Sequence, residues 1–242
     1  MRILVTNDDG IYSPGIRALA EIAEDFGEVL VVAPDVERSS TAHSITSDRP
    51  LSYRSTKIGH LEGYRVDGTP ADCVAMGMHH WEGVDIVLSG INMGPNLGNA
   101  MWHSGTLAAA KQATLFDARG IAFSTPVPNG EPDFDRLAPY VREVLELLLP
   151  QKDLCLVNVN FPPEPKALMW TKQSVRHYNG KIVPGEDPMG RERFWFTVIP
   201  LIDPDEGTDR WAVEHDFVAM TPLSLDLTDY EALQLAQQSA PA

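Results

Sequence analysis

The strongest constraint on the fold is an alternation. Short apolar, β-branched runs are separated by stretches of helical periodicity. Arg2–Thr6 (RILVT) is the first run, ended by Asn7-Asp8-Asp9-Gly10. Pro14 then opens a stretch with Ile16, Leu19, Ile22 and Ala23 at helical spacing. Val29–Ala33 is a second run, stopped by Pro34. Residues 34–50 read as a long polar loop, and residues 51–67 as two short strands around Gly59–Gly63. Thr69-Pro70-Ala71-Asp72 has the cap, proline and acid of a helix start, with Cys73, Val74, Met76 and Gly77 toward its buried side. Further apolar runs follow at Val84–Ser89, Ile121–Ser124 and Leu154–Val159, with helices expected from Ser104 to about Phe116 and over 133–149. This pattern predicts an α/β fold: a Rossmann-like, doubly wound, mainly parallel sheet.

From about residue 165 the pattern changes. Short alternating pieces appear at Met169–Gln173, Arg193–Val198 and Trp211–Met220, between Pro/Gly/Asp clusters. They are read as C-terminal β-hairpin extensions. The expected division is a core with the active site over 1–165 and an extension over 166–242. The extension would serve oligomer contacts and carry a final helix over Asp229–Gln238 before a frayed Ser-Ala-Pro-Ala end.

The net charge is −15, with no Lys/Arg cluster, so no footprint for duplex nucleic acid is present. An anionic substrate would need positive potential from a metal, a helix N-terminus or a few placed cations. Cys73 and Cys155 form neither a disulfide framework nor a zinc spacing, which points to a reducing cytoplasm. The first residues are too short an apolar run for a signal peptide, and no stretch approaches membrane-span length.

The loops that follow the core strands carry the candidate chemistry. Asn7-Asp8-Asp9-Gly10 would be an ordinary turn elsewhere. At the end of a core strand it lies where open α/β sheets bind ligands. Two carboxylates turned to one point repel, and a hard divalent cation relieves them. The Gly/Asn-rich loop after the Val84–Ser89 run brings Asn92, whose carbonyl oxygen suits such a cation, and Asn96, whose NH2 group suits an anion. Ser104-Gly105-Thr106 reads as a capped helix N-terminus, a natural phosphate site. Ser39, in Arg38-Ser39-Ser40-Thr41-Ala42-His43, is a solvated loop serine or an oxygen ligand, and His43 a proton donor or a plain loop histidine. No Walker lysine and no GxGxxG is present.

These residues resemble the SurE family, the survival-protein 5′-nucleotidases. The likeness rests on Arg2–Gly10 (RILVTNDDG), Pro14-Gly15-Ile16, Val32–Asp35, Arg38-Ser39, Gly68–Val74, Ser89–Gly98 (SGINMGPNLG), Ser104–Ala110 (SGTLAAA), Gly207-Thr208-Asp209 and Thr221-Pro222-Leu223. The resemblance implies a divalent-metal phosphomonoesterase acting on nucleoside 5′-monophosphates, with polyphosphate as a second substrate in some members. It implies metal ligands at Asp8, Asp9, Ser39 and Asn92, phosphate binding at Asn96, Ser104, Gly105 and Thr106, and catalysis through Asp8 and Asp9. Mg²⁺ or Mn²⁺ suits the all-oxygen shell. A homodimer or homotetramer is implied as well. Ser40, His103 and the segment Glu214–Met220 depart from the family's usual residues, and none of these removes a metal or phosphate position. The rival reading from another class is a nucleotide-sensing module that binds without turnover.

Overall fold

The computed structural model describes residues 1–127, 130–175, 178–200 and 203–239. Six parallel strands form the centre of one sheet: β1 (Arg2–Thr6), β2 (Glu28–Pro34), β4 (Leu61–Val66), β5 (Ile86–Met93), β6 (Arg119–Thr125) and β7 (Leu156–Asn160). Their spatial order is β4-β2-β1-β5-β6-β7. An antiparallel strand, β3 (Tyr53–Ile58), edges β4. At the other side β11 (Phe217–Pro222) runs antiparallel to β7, and β8 (Ala167–Trp170) runs parallel to β11. The sheet thus has nine strands.

The strand runs are apolar on both sides because helices cover both faces. Ile3 and Val5 pack toward α1 (Pro14–Ala23) and α4 (Phe134–Leu148). Leu4, between them, packs toward α2 (Pro70–His80) and α3 (Gly105–Leu115). The helix starts are set by side chains. Ser13 accepts from the Ile16 N–H at 3.4 Å, and Thr69 and Asp72 form a reciprocal capping box. Gly15 lets α1 sit directly on the end of β5, since a Cβ there would lie 2.0 Å from the Ile91 carbonyl oxygen.

Beyond residue 165 the chain is less hairpin-like than its sequence suggests. Only β9 (Tyr178–Glu186) and β10 (Glu192–Pro200) form a hairpin, paired with each other and with no other strand among the described residues. The piece Trp211–Met220 is not a strand throughout. Thr208 caps a short helix, α5 (Asp209–Glu214), and only then does β11 begin. The side chain of Asp209 explains the difference. It is fully buried and accepts from the backbone N–H groups of Gly98 and Ser174, which fixes the helix start against the core. Leu154–Val159 is not the last strand of the core sheet either, because β11 and β8 extend it. The final helix, α6, spans Tyr230–Ser239, so Ser239 of the end expected to fray closes the helix, and the rest of that end, 240–242, lies outside the described residues. No helix among the described residues is long and apolar enough to cross a membrane.

Candidate active site

The loops that leave β1, β2 and β5 meet at the C-terminal edge of the sheet, against the N-terminus of α3. Asp8 follows β1 and is buried. Its Oδ1 accepts from the Thr106 hydroxyl at 2.7 Å, and Thr106 also gives it a backbone N–H. Its own carbonyl accepts from the Arg38 N–H at 2.7 Å, which ties the loop after β2 to the strand end. Gly105 is the residue that lets carboxylate and helix meet. A Cβ there would lie 2.9 Å from both the Cβ and the Oδ2 of Asp8.

Asp9 is held differently. Its Oδ2 accepts from the Met93 N–H at 3.1 Å, across the β1–β5 boundary. Burial pushes its carboxyl up to about 6, with the charges of Asp8 and Glu37 adding to the effect and the Met93 N–H opposing it. Burial also raises Asp8, against the hydrogen bonds from Thr106. Among the described residues no basic side chain offsets either carboxylate.

Asn92 donates its Nδ2 to the Gly94 carbonyl at 2.6 Å, which leaves its carbonyl oxygen as the acceptor. Gly94 itself stands at φ 152°, a conformation that favours glycine. Ser39 is exposed, and its hydroxyl donates to the Glu37 carboxylate at 2.6 Å. Ser104 caps α3, accepting from the Leu107 N–H at 3.1 Å. The N–H of Gly105 belongs to the first turn, where no carbonyl four residues back is available.

Asn96 already has protein partners in this structure. Its NH2 group is taken up by the protein, donating to Ser124 Oγ at 2.8 Å and to Thr106 Oγ1 at 3.3 Å. A chain of hydrogen bonds therefore runs Ser124–Asn96–Thr106–Asp8. Two residues absent from the sequence reading hold the backbone of Asn96. Asn160 accepts from its N–H at 2.8 Å, and the Asn158 amide donates to its carbonyl at 2.8 Å. The signal for both was present. Two asparagines two apart in an apolar strand face the same side.

The donor set fits a hard divalent cation. The buried Asp8 and half-buried Asp9 carboxylates stand together at the end of β1, the Asn92 carbonyl oxygen is left free by its amide's bond to Gly94, and every candidate ligand atom is oxygen. The adjacent helix terminus offers the partial positive charge a phosphate requires.

A family model described as "Survival protein SurE" matches residues 3–180. The chain belongs to the SurE family. Its relatives in that family span nearly its whole length. "5′-nucleotidase SurE 1" of Thermus thermophilus is 45% identical, covering 97% of this chain and 96% of the relative. "5′-nucleotidase SurE" of Deinococcus radiodurans is 41% identical, covering 99% and 93%. The crystal structure of the SurE protein from Aquifex aeolicus superposes with a TM-score of 0.84 at 36% identity, covering 98% of this chain and 99% of that one. The family segments Arg2–Gly10, Ser89–Gly98 and Ser104–Ala110 are those that converge on the carboxylate pair.

Proposed function

We propose that this SurE-family chain is a 5′-nucleotidase. It hydrolyses nucleoside 5′-monophosphates to nucleoside and phosphate and depends on one Mg²⁺ or Mn²⁺ ion. The carrying observation is the seating of Asp8 against the first turn of α3, with Asp9 half-buried beside it and no basic side chain among the described residues paired with either. The names of the Thermus and Deinococcus relatives support the same reading.

In this mechanism Asp8, Asp9, the Asn92 carbonyl and the Ser39 hydroxyl are the groups that would hold the ion. The bound ion supplies Lewis acidity toward a phosphoryl oxygen and acidifies water. The chain's own groups position the substrate. The N–H of Gly105 and the Ser104 hydroxyl take phosphate oxygens at the helix N-terminus. Thr106 keeps Asp8 oriented. Asn96 shares its longer bond, 3.3 Å to Thr106, and that N–H is the one a phosphate oxygen can claim. Asp9, at the strand end beside Asp8, is the group placed to orient the attacking water. Short polyphosphate presents the same terminal phosphate and fits as a second substrate. Residues 166–242 serve assembly into a dimer or tetramer, and the protein works in the cytoplasm.

The test is phosphate release from nucleoside 5′- and 3′-monophosphates with EDTA, Mg²⁺ or Mn²⁺. Multiple turnovers of the 5′ compounds, abolished by EDTA, are expected. Tight nucleotide binding without any release would replace the enzyme with a sensing module.

A further inference from the structure

A cavity of about 320 Å³ opens beside the N-terminus of α3. It shares Ser104 with the proposed phosphate site and continues past His43, Trp102 and Lys111 to Leu223 and Leu225. Its walls are mostly apolar side chains, which suits a flat heterocycle better than a second phosphate.

Lys111 is the unusual member. Its Nζ lies 5.6 Å from the centroid of the Trp102 ring and lines the cavity. It is half-buried, and burial alone lowers its pKa. The chain carries 34 acidic residues against 19 basic ones, yet none of the described acids offsets this ammonium. An ammonium group has donors only, so what fits against it is an acceptor. Ser104 and Lys111 are seven positions apart and share a helix face, about 10 Å apart along the axis. That span is comparable to the reach of a nucleotide from its 5′-phosphate to the far edge of its base.

We propose that this cavity is the base subsite and that Lys111 is its specificity-determining residue, favouring bases with a carbonyl at purine position 6 or pyrimidine position 4 over bases with an amine there. The proposal rests on the reading that the 5′-phosphate docks at the start of α3. Guanine and adenine share the N7 acceptor, but guanine adds the O6 acceptor where adenine places an amine donor, and uracil and cytosine differ likewise at position 4. Trp102 supplies an apolar wall beside the base. The Gln112 Oε1 stands 2.9 Å from His43 Nε2 and steadies the imidazole, which also lines the cavity.

The experiment compares GMP with AMP and UMP with CMP, in Mn²⁺, for the wild type and Lys111→Met. A hydrogen bond to a charged donor is worth about tenfold or more in kcat/KM, so GMP over AMP and UMP over CMP should each differ by that factor. In Lys111→Met both ratios fall toward one, through KM. Each ratio is internal to one preparation, so partial misfolding does not imitate the result. Wild-type ratios near one, or a preference that survives the substitution, would overturn the proposal. Hydrolysis of p-nitrophenyl phosphate by the wild type separates the two readings. If neither it nor any nucleotide is cleaved, the phosphatase reading fails. Equilibrium dialysis of GMP and AMP against both proteins then decides the base subsite by the same tenfold criterion.

Discussion

Asp8 and Asp9 share a strand end but not an environment. Asp8 receives the hydroxyl and the N–H of Thr106, while Asp9 receives the single N–H of Met93. The Asp9 carboxyl rises from 3.8 to about 6 as a result of burial, so in metal-free protein the fold favours its neutral form. Its contribution to stability is then complete below pH 3.8 and disappears as the pH climbs through 6. Asp9→Asn in EDTA should therefore be more stable than wild type by about 2 kcal/mol at pH 8 and equal to it below pH 4, as read by urea unfolding. Equal stabilities at pH 8 would remove the basis for an uncompensated charge. Gly105→Ala tests the close approach from the other side. A methyl group 2.9 Å from the Asp8 carboxylate must displace it. The expected result is a fall of about 100-fold in kcat/KM with about 1–3 kcal/mol of lost stability. Unchanged turnover would mean that the placement of Asp8 against α3 is not needed.

At the scale of elements, the site is strand ends and one helix start held in register by polar side chains from β6 and β7. Asn160→Ala would leave the buried Asn96 N–H without its acceptor. A loss of about 1–3 kcal/mol is expected in thermal unfolding, together with a raised KM for phosphate esters. A variant with wild-type KM would show that the loop around Asn96 is fixed without β7. The legibility of the sequence divides along the same line. The strands β1, β2, β5 and β6, the helix start at Pro14 and the caps at Thr69 and Ser104 were readable because their signals are local. The acidic pair and the Ser104 turn were readable for the same reason. Asn158 and Asn160 act on a residue more than sixty positions away, and nothing local says which loop they will meet. The helix α5 is only half legible: Thr208 caps it locally, but Asp209 also seats its start on Gly98 and Ser174 by tertiary bonds, and the alternation over 211–220 alone reads as a strand.

At the scale of the whole molecule, the described residues form a nine-stranded sheet and one separate hairpin. That hairpin, β9 with β10, exposes Ile182, Phe194 and Trp195. Such apolar side chains on an arm away from the sheet are expected to find another copy of the chain. Phe194→Ser with Trp195→Ser should shift the protein to a smaller species in light scattering; an unchanged mass would place the contacts elsewhere.

The position of β1 at the middle of the sheet has a kinetic meaning as well. Asp9 and Met93 stand 84 residues apart in the chain, and they meet only after β1 has paired with β5. Closing so long a loop belongs to the late part of folding, after local helices and turns have formed. An emerging or half-folded chain thus carries both acids without having the pocket that joins them. Mn²⁺ should accordingly leave the refolding rate nearly untouched while slowing unfolding, since the completed fold alone binds it. Stopped-flow traces with and without the ion would show this, and faster refolding in its presence would mean that the carboxylates gather a cation before the sheet is built.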